Sequence, residues 1–439
     1  MASTALLNFL KSKYDDGKIP REVIQTFPML DAVPKFSDGG GDYFITGVVL
    51  GNPQGIGPTL AIAQSNAALA GVLSDFKGKK WTIPYGDYDG SVYINDKDIK
   101  RARKNEDAFF NWYDDEINGL WRGFLEHMSY LMFCETGQYL GSGKIHATNG
   151  TITLDDPTSV IRFPIGCTLQ VSANPGNATS DSLIDSGAIG YMFAKDENLG
   201  TLQVATSGAN AAAGTAHTPG SGEAWYNSGA TIYIFRQGDF GGGSSPNVIF
   251  KGLGGWLPPT APVLGADSWY GVDRGIAPAQ LAGFRLLAAD VAGMSIRKRI
   301  KRAVAVINNR GTTPGITHVI LNGEKWQDLA NEMEAQGIRI LEGQKQYGFG
   351  TNSIALAAGG KVVEVIGDRA APYATGYALT MPKDGSNVQM KSIDAFPHIV
   401  REDGLEIIRG ATANDYEHRI VAYPAFVIKA PGWCGRFPI

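Results

Sequence analysis

The sequence predicts an α+β fold with an inserted small β-domain, and three segments carry that prediction. Residues 105–134 form the clearest helix, because apolar side chains recur there at spacings of three and four. Residues 141–255 instead alternate short β-like runs with Gly, Ser, Asn and Ala. Residues 256–439 mix helical and strand-like patterns. With 439 residues and 44% hydrophobic content, the chain can bury a core and is long enough for about two to four structural units.

Residues 1–75 are predicted to form an N-terminal arm. A short helix is expected at residues 4–14 with Ser3 as its N-cap, and prolines and the glycines at 39–41 then interrupt regular structure. Apolar pieces such as FITGVVL (44–50) lie between these interruptions. An extended arm with apolar pieces is expected to lie on some other surface.

The next segment, 76–104, is basic and aromatic and reads FKGKKWTIPYGDYDGSVYINDKDIKRARK. The runs KKWTIPY and SVYIND are strand-like, and DYDG (87–90) between them carries an Asp-Gly turn signal. The segment therefore predicts a long two-stranded hairpin. Because an isolated hairpin is only marginally stable in water, this one is expected to rest on a partner.

The helix that follows is expected within residues 105–140. Glu106 and Asp107 lie at its start, where negative charge complements the helix dipole. At 1.5 Å per residue the helix is about 45 Å long. The glycine-edged β-rich segment after it, 141–255, is expected to form a small barrel or sandwich.

The remaining segment reads as mixed α/β. A helix is expected at 295–311 with Ser295 as its cap, and THVILN (317–322) has the pattern of a buried strand. Asn322 is then expected to cap a second helix, and several further strands follow toward the C-terminus.

No segment carries a recognisable catalytic or metal-binding signature. The sequence has no P-loop and no nucleophile elbow, and none of its six histidines has metal-ligand spacing. The three cysteines are far apart and odd in number, which fits free thiols in a reducing compartment. We therefore predict that the protein is not an enzyme and needs no cofactor or metal.

Charge and hydropathy narrow the class of protein further. The net charge of −4 gives no global attraction to nucleic acid, although a local basic face is compatible with it. The N-terminus lacks the pattern of a signal peptide, and no run approaches 18 consecutive apolar residues. We expect a soluble protein made in the cytoplasm.

Two basic segments allow more than one use. A solvated helix face, a salt-bridge face between subunits and a patch facing nucleic acid all fit the basic run in 295–311. Basic residues mixed with aromatic ones, as in 76–104, are typical of single-strand nucleic-acid binding. Aromatic residues within β-like runs are explained more simply by cross-strand packing. The basic run in 295–311 comprises Arg297, Lys298, Arg299, Lys301 and Arg302.

The order of the parts resembles that of the major capsid proteins of tailed bacteriophages, which have the Hong Kong 97-type fold. HVILNGEKWQDL (318–329) resembles the strand, Asn-turn and Trp-containing helix of their axial domain. Three further segments are similar to a branch of these proteins that carries an inserted β-domain. They are KGLGGWLPP (251–259), YGVDRGIAPAQLAG (270–283) and FVIKAPGWCGRF (426–437).

The resemblance assigns a part to each segment. Residues 1–75 would be the N-terminal arm, 76–104 the E-loop hairpin and 105–140 the spine helix of the peripheral domain. Residues 141–255 would be the inserted β-domain. The chain would return to the peripheral domain over 256–290, form mainly the axial domain over 291–400, and end in C-terminal strands over 401–439.

The resemblance also implies a function. Copies of the chain would self-assemble into hexamers and pentamers of an icosahedral shell, the virion capsid, built in the cytoplasm of a bacterial host. The shell would enclose double-stranded DNA without sequence-specific binding. Partners would be other copies, portal and scaffolding proteins, and a decoration or cement protein, with no membrane. Covalent crosslinking through lysine and asparagine side chains, known in some members, is not predicted here.

Intersubunit contacts are expected to lie on the E-loop. In this hypothesis the hairpin lies across a neighbouring subunit, with its rings packed there and its basic residues meeting acids. The arm would lie along the hairpin or a neighbouring spine helix. The E-loop residues assigned to these contacts are Lys79, Lys80, Trp81, Ile83, Tyr85, Asp87, Tyr88, Tyr93, Arg101 and Arg103. The basic run at 297–302 is assigned to a second intersubunit surface or to the lumen.

Two other functions remain open at this point. An encapsulin, a cellular compartment with the same fold, would package an enzyme instead of a genome. A single-strand nucleic-acid binder would use the 76–104 segment, and its affinity would fall with salt.

Overall fold

The computed structural model describes most of the chain. The described residues are 27–51, 56–68, 77–95, 106–135, 137–146, 151–178, 180–205, 210, 230–242, 249–310, 315–335, 342–347, 351–358, 360–400, 407–409 and 415–439. The helix expected at 4–14 lies outside them.

The described α-helices begin with a single turn near the N-terminus and include one long helix. In chain order they are α1 (Pro28–Ala32), α2 (Leu60–Ala68), α3 (Glu106–Leu131), α4 (Leu253–Trp256), α5 (Pro278–Leu281), α6 (Ile296–Arg310) and α7 (Gly323–Ala335). None of the helices in the described part of the chain is both long enough and apolar enough to cross a membrane.

Ten of the described strands lie between residues 35 and 236. These are β1 (Lys35–Phe36), β2 (Tyr43–Gly51), β3 (Lys77–Pro84), β4 (Tyr88–Asn95), β5 (Gly141–Ile145), β6 (Thr151–Leu154), β7 (Thr168–Ser172), β8 (Gly190–Asp196), β9 (Thr201–Ala205) and β10 (Ile232–Arg236).

The others follow later in the chain. These are β11 (Ser268–Trp269), β12 (Val272–Asp273), β13 (Phe284–Arg285), β14 (His318–Asn322), β15 (Glu342–Tyr347), β16 (Thr351–Ala358), β17 (Lys361–Asp368), β18 (Thr375–Leu379), β19 (Val388–Ser392), β20 (His398–Ile399), β21 (Ile407–Arg409), β22 (Asp415–Ala422), β23 (Pro424–Ile428) and β24 (Gly435–Pro438).

The largest sheet has seven strands in the order β13-β24-β18-β14-β17-β16-β15. Helices α6 and α7 pack on one face, where Val304 and Leu329 join a buried cluster with Val319 of β14. The alternate residue of β14, Ile320, faces the main core on the other side. The sheet with its two helices therefore forms a layered unit with a core of its own.

The two helices of this layer begin near the predicted positions. Asn322 caps α7 as predicted, since the backbone N–H of Glu324 donates to its Oδ1 at 3.0 Å. The expected cap of α6 is wrong, because the buried hydroxyl of Ser295 has no hydrogen-bond partner among the described residues. The backbone N–H of Arg297 donates instead to Glu332 of α7 at 3.3 Å, which ties the two helices together.

The long helix α3 lies in the predicted segment and packs one face on the main core. Ile117, Trp121 and Leu125 are almost fully buried. Gly119 and Gly123 lie on the opposite, exposed face, where an added Cβ would meet no atom within 4 Å. Nothing within the described chain therefore requires glycine at these two positions.

Between α3 and α4 the chain forms a closed barrel with the strand order β10-β5-β6-β9-β8-β7. Of the two architectures expected for this segment, a barrel or a sandwich, the structure forms the barrel. Its strands alternate apolar residues inside with polar residues outside, as in Thr151-Ile152-Thr153-Leu154. Closure pairs every strand on both sides, so the barrel has no free edge.

The barrel is fixed to the rest of the chain by buried polar contacts. Gln138 adopts a positive φ of 63° where the chain leaves α3. Its side chain accepts the backbone N–H of Ile249 at 3.1 Å, where the chain returns from the barrel, and donates to the carbonyl of Asp239 at 3.4 Å. His127 of α3 also contacts Asp239, at 2.9 Å.

The hairpin predicted over 76–104 is wrong. Strands β3 and β4 do not pair with each other: β3 pairs with β2, and β4 pairs with β22 near the C-terminus. The Asp-Gly turn signal is a local pattern, whereas β3 and β4 pair with strands from other parts of the chain. The part of the predicted arm between residues 43 and 68 is correspondingly not irregular, because it contains β2 and α2.

The described start of the arm is anchored in the chain's own core. Phe27, Met29 and Leu30 are fully buried. The buried carboxylate of Asp368 accepts the backbone N–H of Met29 at 2.9 Å, and β1 pairs in parallel with β19. Residues 27–36 thus do not need a second surface to lie on.

Candidate intersubunit surface

Strands β2 and β3 form a separate two-stranded antiparallel sheet, which we call the ribbon (residues 43–51 and 77–84). In its register Phe44 faces Ile83 and Thr46 faces Trp81 on one side. The next pairs along, Tyr43 with Pro84 and Ile45 with Thr82, face the other side because side chains alternate along a strand. The ribbon therefore has an inner and an outer face.

The inner face anchors the ribbon in its own subunit. Trp81 is fully buried, and its ring meets the ring of Trp256 edge to face at a centroid distance of 5.4 Å. Ile83 is 1% exposed. The expectation that Trp81 and Ile83 pack on a neighbouring subunit is wrong, because both side chains are already covered by the core of their own chain.

The outer face of β2 is apolar and uncovered. Tyr43, Ile45 and Val49 are 54%, 58% and 52% exposed. A strand with apolar residues on both faces is typical of strands buried on both sides, and here only one side is buried. A folded monomer rarely leaves such a face in water unless a partner covers it.

The chain between the two strands extends this apolar character. The sequence contains no Asp, Glu, Lys, Arg or His from residue 43 to residue 74. In the described part of that segment, Ile56 and Leu60 are each 74% exposed. The outer face of β2 and the described residues 56–66 thus present uncharged side chains that the subunit itself leaves largely exposed.

Sequence reasoning missed these outer-face residues, although a signal was available. The apolar run FITGVVL (44–50) is predicted only as a piece of an extended arm. The length of the uncharged segment, together with apolar residues at successive positions of β2, is the feature that indicates contact on both faces.

The lysines assigned to the E-loop lie within the ribbon, on β3. Lys79 and Lys80 are exposed, and Lys80 is paired with Gly47 in the ribbon register. Lys80 therefore lies on the outer face, between the pairs that contain Ile45 and Val49, whereas Lys79 pairs with Val48 on the other side. Both charges are available to acids on another molecule.

The other predicted E-loop residues lie away from the ribbon. Tyr88 packs on Phe124 of α3 at a centroid distance of 4.4 Å, and its hydroxyl lies 2.6 Å from Nδ1 of His127. Burial raises the pKa of this phenol, so Tyr88 stays neutral and serves the core. Tyr93 on β4 is 69% exposed and remains available to a partner.

A polar cleft of about 480 Å³ separates the loop between β3 and β4 from the barrel. Tyr85 and Asp87 line it together with Arg236 and Asp239. Tyr85 is half-buried and Asp87 is exposed. Neighbouring Asp89 has a raised pKa, because it is partly buried and lies close to Asp87.

Arg101 and Arg103 lie outside the described residues. The second predicted basic face lies on α6, in the helix layer of the seven-stranded sheet. Lys298 and Arg302 are exposed there, whereas Arg297, Arg299 and Lys301 are half-buried. Arg299 donates from Nε to the carbonyl of Met294 at 2.8 Å.

Catalytic or metal-binding geometry is not evident in the described part of the chain. No group of three or more His, Cys, Asp or Glu side chains among the described residues is placed to hold a metal ion. The buried thiols of Cys134 and Cys434 have raised pKa values of about 12 because they are desolvated. They are therefore protonated and unreactive near neutral pH.

No family model and no curated protein sequence matches the chain. Similarity to solved structures is found at low sequence identity. The capsid of cyanophage A-1(L) is 10% identical over 94% of this chain and 92% of that chain, with a TM-score of 0.45. The capsid protein of a native GTA particle is 8% identical over 94% of this chain and 89% of that chain, with a TM-score of 0.41.

An encapsulin is also similar over a shorter region. The SrpI encapsulin of Synechococcus elongatus is 10% identical, with a TM-score of 0.24. The match covers 32% of this chain and 48% of the encapsulin, so it spans about half of the encapsulin's length. The structures that the chain resembles along most of its length are mainly phage and GTA capsid proteins, which are non-enzymatic structural proteins.

Proposed function

We propose that this chain is a shell-forming structural protein, a phage major capsid protein of the Hong Kong 97-type fold with an inserted β-barrel. The observation that carries the proposal is the uncovered apolar outer face of β2 in the ribbon. Tyr43, Ile45 and Val49 lie on a two-stranded sheet that is anchored on its inner face and free on its outer face. Such a surface gains stability only by packing on another molecule.

A further copy of the same chain is the proposed partner. The order of the elements supports this choice: an arm, a two-stranded ribbon, a long helix, a barrel and an α/β layer follow one another as in shell proteins. The proposal moves the reaching element of the subunit from residues 76–104 to residues 43–84. Lys79, Lys80 and Tyr93 keep their proposed role as surface contacts to the neighbouring copy.

The finer assignments are part of the same proposal. The copies would form hexamers and pentamers of an icosahedral virion shell around double-stranded DNA, assembled in the cytoplasm of a bacterial host. Portal and scaffolding proteins would take part in assembly. One similar structure is described as phage G gp27 major capsid proteins with gp26 decoration proteins, and a decoration protein is likewise proposed for this shell, at the barrel.

The test replaces apolar side chains on the outer face of the ribbon. The double variant Ile45→Asp/Val49→Asp introduces two charges where water already reaches, so the subunit should fold with an unchanged melting temperature. Packing of this face on a neighbour would bury the two carboxylates, which costs several kcal/mol. We expect at least about a tenfold loss of assembled shells.

The matched control is Ile165→Asp on the barrel, where the side chain is 64% exposed. The wild type and both variants are expressed together with the proposed scaffolding and portal proteins, then compared by sedimentation and negative-stain electron microscopy. Shells from the double variant at the wild-type yield would contradict the role of the ribbon. A wild type that stays monomeric would contradict the shell itself. Shells filled with an enzyme and no genome would identify an encapsulin.

A further inference from the structure

The two helices that cover the seven-stranded sheet carry opposite charge. Helix α6 reads IRKRIKRAVAVINNR and contains six basic residues and no acid. Helix α7 reads GEKWQDLANEMEA and contains four acids and one lysine. The formal charges of the two neighbouring helices are thus +6 and −3.

Part of this charge points away from the sheet. The buried positions of α6 include Ile300, Val304 and Ile307, so Lys298 and Arg302 lie on the opposite, exposed side. Lys301 is half-buried beside them. We call these three residues the basic surface.

Helix α7 has the same organisation with the opposite sign. Its buried positions include Leu329 and Met333, which face the sheet. Glu324, Asp328 and Glu334 are exposed. We call these three residues the acidic surface.

The contact between the two helices inside one subunit does not use these charges. It includes apolar packing of Ile300 and Leu329 in one buried cluster, and the backbone N–H of Arg297, which donates to Glu332. Asp328 pairs within its own helix with Lys325 at 2.8 Å. In the part of the chain that the structure describes, no ion pair is formed by the three residues of the basic surface, nor by Glu324 or Glu334.

We propose that the basic surface of one copy docks against the acidic surface of a second copy. The inference rests on the proposed shell function and identifies a second contact in it, separate from the ribbon. Complementary charge favours a second copy over nucleic acid, because the acids of α7 lie in the same layer and would repel phosphates approaching α6. The net charge of −4 of the whole chain also disfavours binding of nucleic acid.

The two contacts would have different physical characters. The contact at the ribbon would bury apolar side chains, so its strength should depend only weakly on salt concentration. The proposed contact between α6 of one copy and α7 of a second copy joins solvent-exposed charges. Salt screens the attraction between such charges over about 8 Å at physiological ionic strength. Charged contacts of this kind fix partner and register more than they add affinity.

The test reverses each surface in turn. Lys298→Glu/Arg302→Glu makes the basic surface acidic, and Asp328→Lys/Glu334→Lys makes the acidic surface basic. Glu at position 298 and Lys at position 334 also suit the dipoles of their helices, so folding should be kept. Because like charges then face each other, we expect each variant to lose about tenfold or more in assembled material.

Combining the variants provides the decisive readout. The quadruple variant restores opposite charge and should regain assembly, as should a mixture of the two double variants. Lys144→Glu/Lys383→Glu is the matched control, because both lysines are exposed and lie outside the helix layer. Sedimentation measures assembly, and thermal melting checks the fold of each subunit.

Three results would overturn the inference. One is normal assembly of both double variants. Another is a quadruple variant that assembles as poorly as the two double variants. The third is a Lys298→Glu/Arg302→Glu variant that assembles fully but loses DNA content, since the basic surface would then face the lumen. If the wild type forms shells in the same experiment, these results contradict only the second contact and not the proposed function. If the wild type forms no shells, the proposed function itself is contradicted.

Discussion

The ribbon and the barrel are two β-structures that treat their outer surfaces in opposite ways. Barrel strands place Ile152 and Leu154 inside and threonine outside. The ribbon strand β2 places Phe44 and Val48 inside and also exposes Ile45 and Val49 outside. The barrel is closed and pairs all of its strands, whereas the ribbon has only two strands.

The barrel buries its apolar residues within its own chain, whereas the ribbon leaves apolar residues exposed that only another molecule could cover. A closed barrel satisfies its backbone hydrogen bonds and buries its apolar residues without help. A two-stranded sheet with apolar residues on both faces can bury only one face against its own subunit. The following predictions set substitutions in the two regions against each other.

The largest effect on folding is expected at the inner face of the ribbon. Trp81→Ala removes a fully buried ring that packs on Trp256, and should lower the free energy of unfolding by about 3–5 kcal/mol. Ile45→Ala on the outer face should change it by less than about 0.5 kcal/mol. Urea unfolding of the unassembled subunit measures both. Equal losses in the two variants would show that the two faces do not differ.

A core substitution in the barrel should be costly but local. Ile152→Ala opens a cavity at a fully buried position and should cost about 2–5 kcal/mol in the barrel. Hydrogen exchange should show faster opening of amides in the barrel, while the amides of α3 keep their protection. Thr153→Ala, at the exposed neighbouring position, is the control. Loss of protection throughout the chain would mean that barrel and core unfold as one unit.

The smallest effect is expected at the root of the ribbon and depends on pH. The Lys251 ammonium lies 4.5 Å from the ring centroid of Trp269 and 4.7 Å from that of Tyr270, whose carbonyl accepts the backbone N–H of Thr82. Burial, with a contribution from nearby Arg274, lowers the pKa of Lys251 from 10.5 to about 8. Between these two values the unfolded chain keeps a proton that the folded chain has released.

Stability should therefore rise with pH across that window, because the unfolded state binds more protons than the folded state. Lys251→Met removes this contribution, so the difference in unfolding free energy between wild type and variant should change from about pH 7 to about pH 10. Urea midpoints at the two pH values measure it, with Lys144→Met as the exposed control. Parallel pH profiles for wild type and Lys251→Met would contradict the prediction.

Several elements were predictable from the sequence because their signals are local. The spacing of Ile117, Trp121 and Phe124 identifies α3, and Asn322 marks the start of α7. Alternation and frequent glycines identify the β-rich segment, although they do not distinguish a barrel from a sandwich. Strand pairing was not predictable, since the partner of β4 lies more than 300 residues away. An Asp-Gly turn between two strand-like runs therefore indicated a hairpin that does not form.

The candidate intersubunit surface was likewise predictable only in part from the sequence. By itself the sequence determined that residues 43–51 and 77–84 are rich in aromatic and apolar residues and contain no His, Cys, Asp or Glu, because composition is a property of the segment alone. Only the tertiary structure decided which residues remain available. Trp81 and Ile83 are covered by α4 and the core, whereas Tyr43, Ile45 and Val49 face outward. Burial depends on which distant elements pack on a strand, and no local pattern in the sequence specifies that choice.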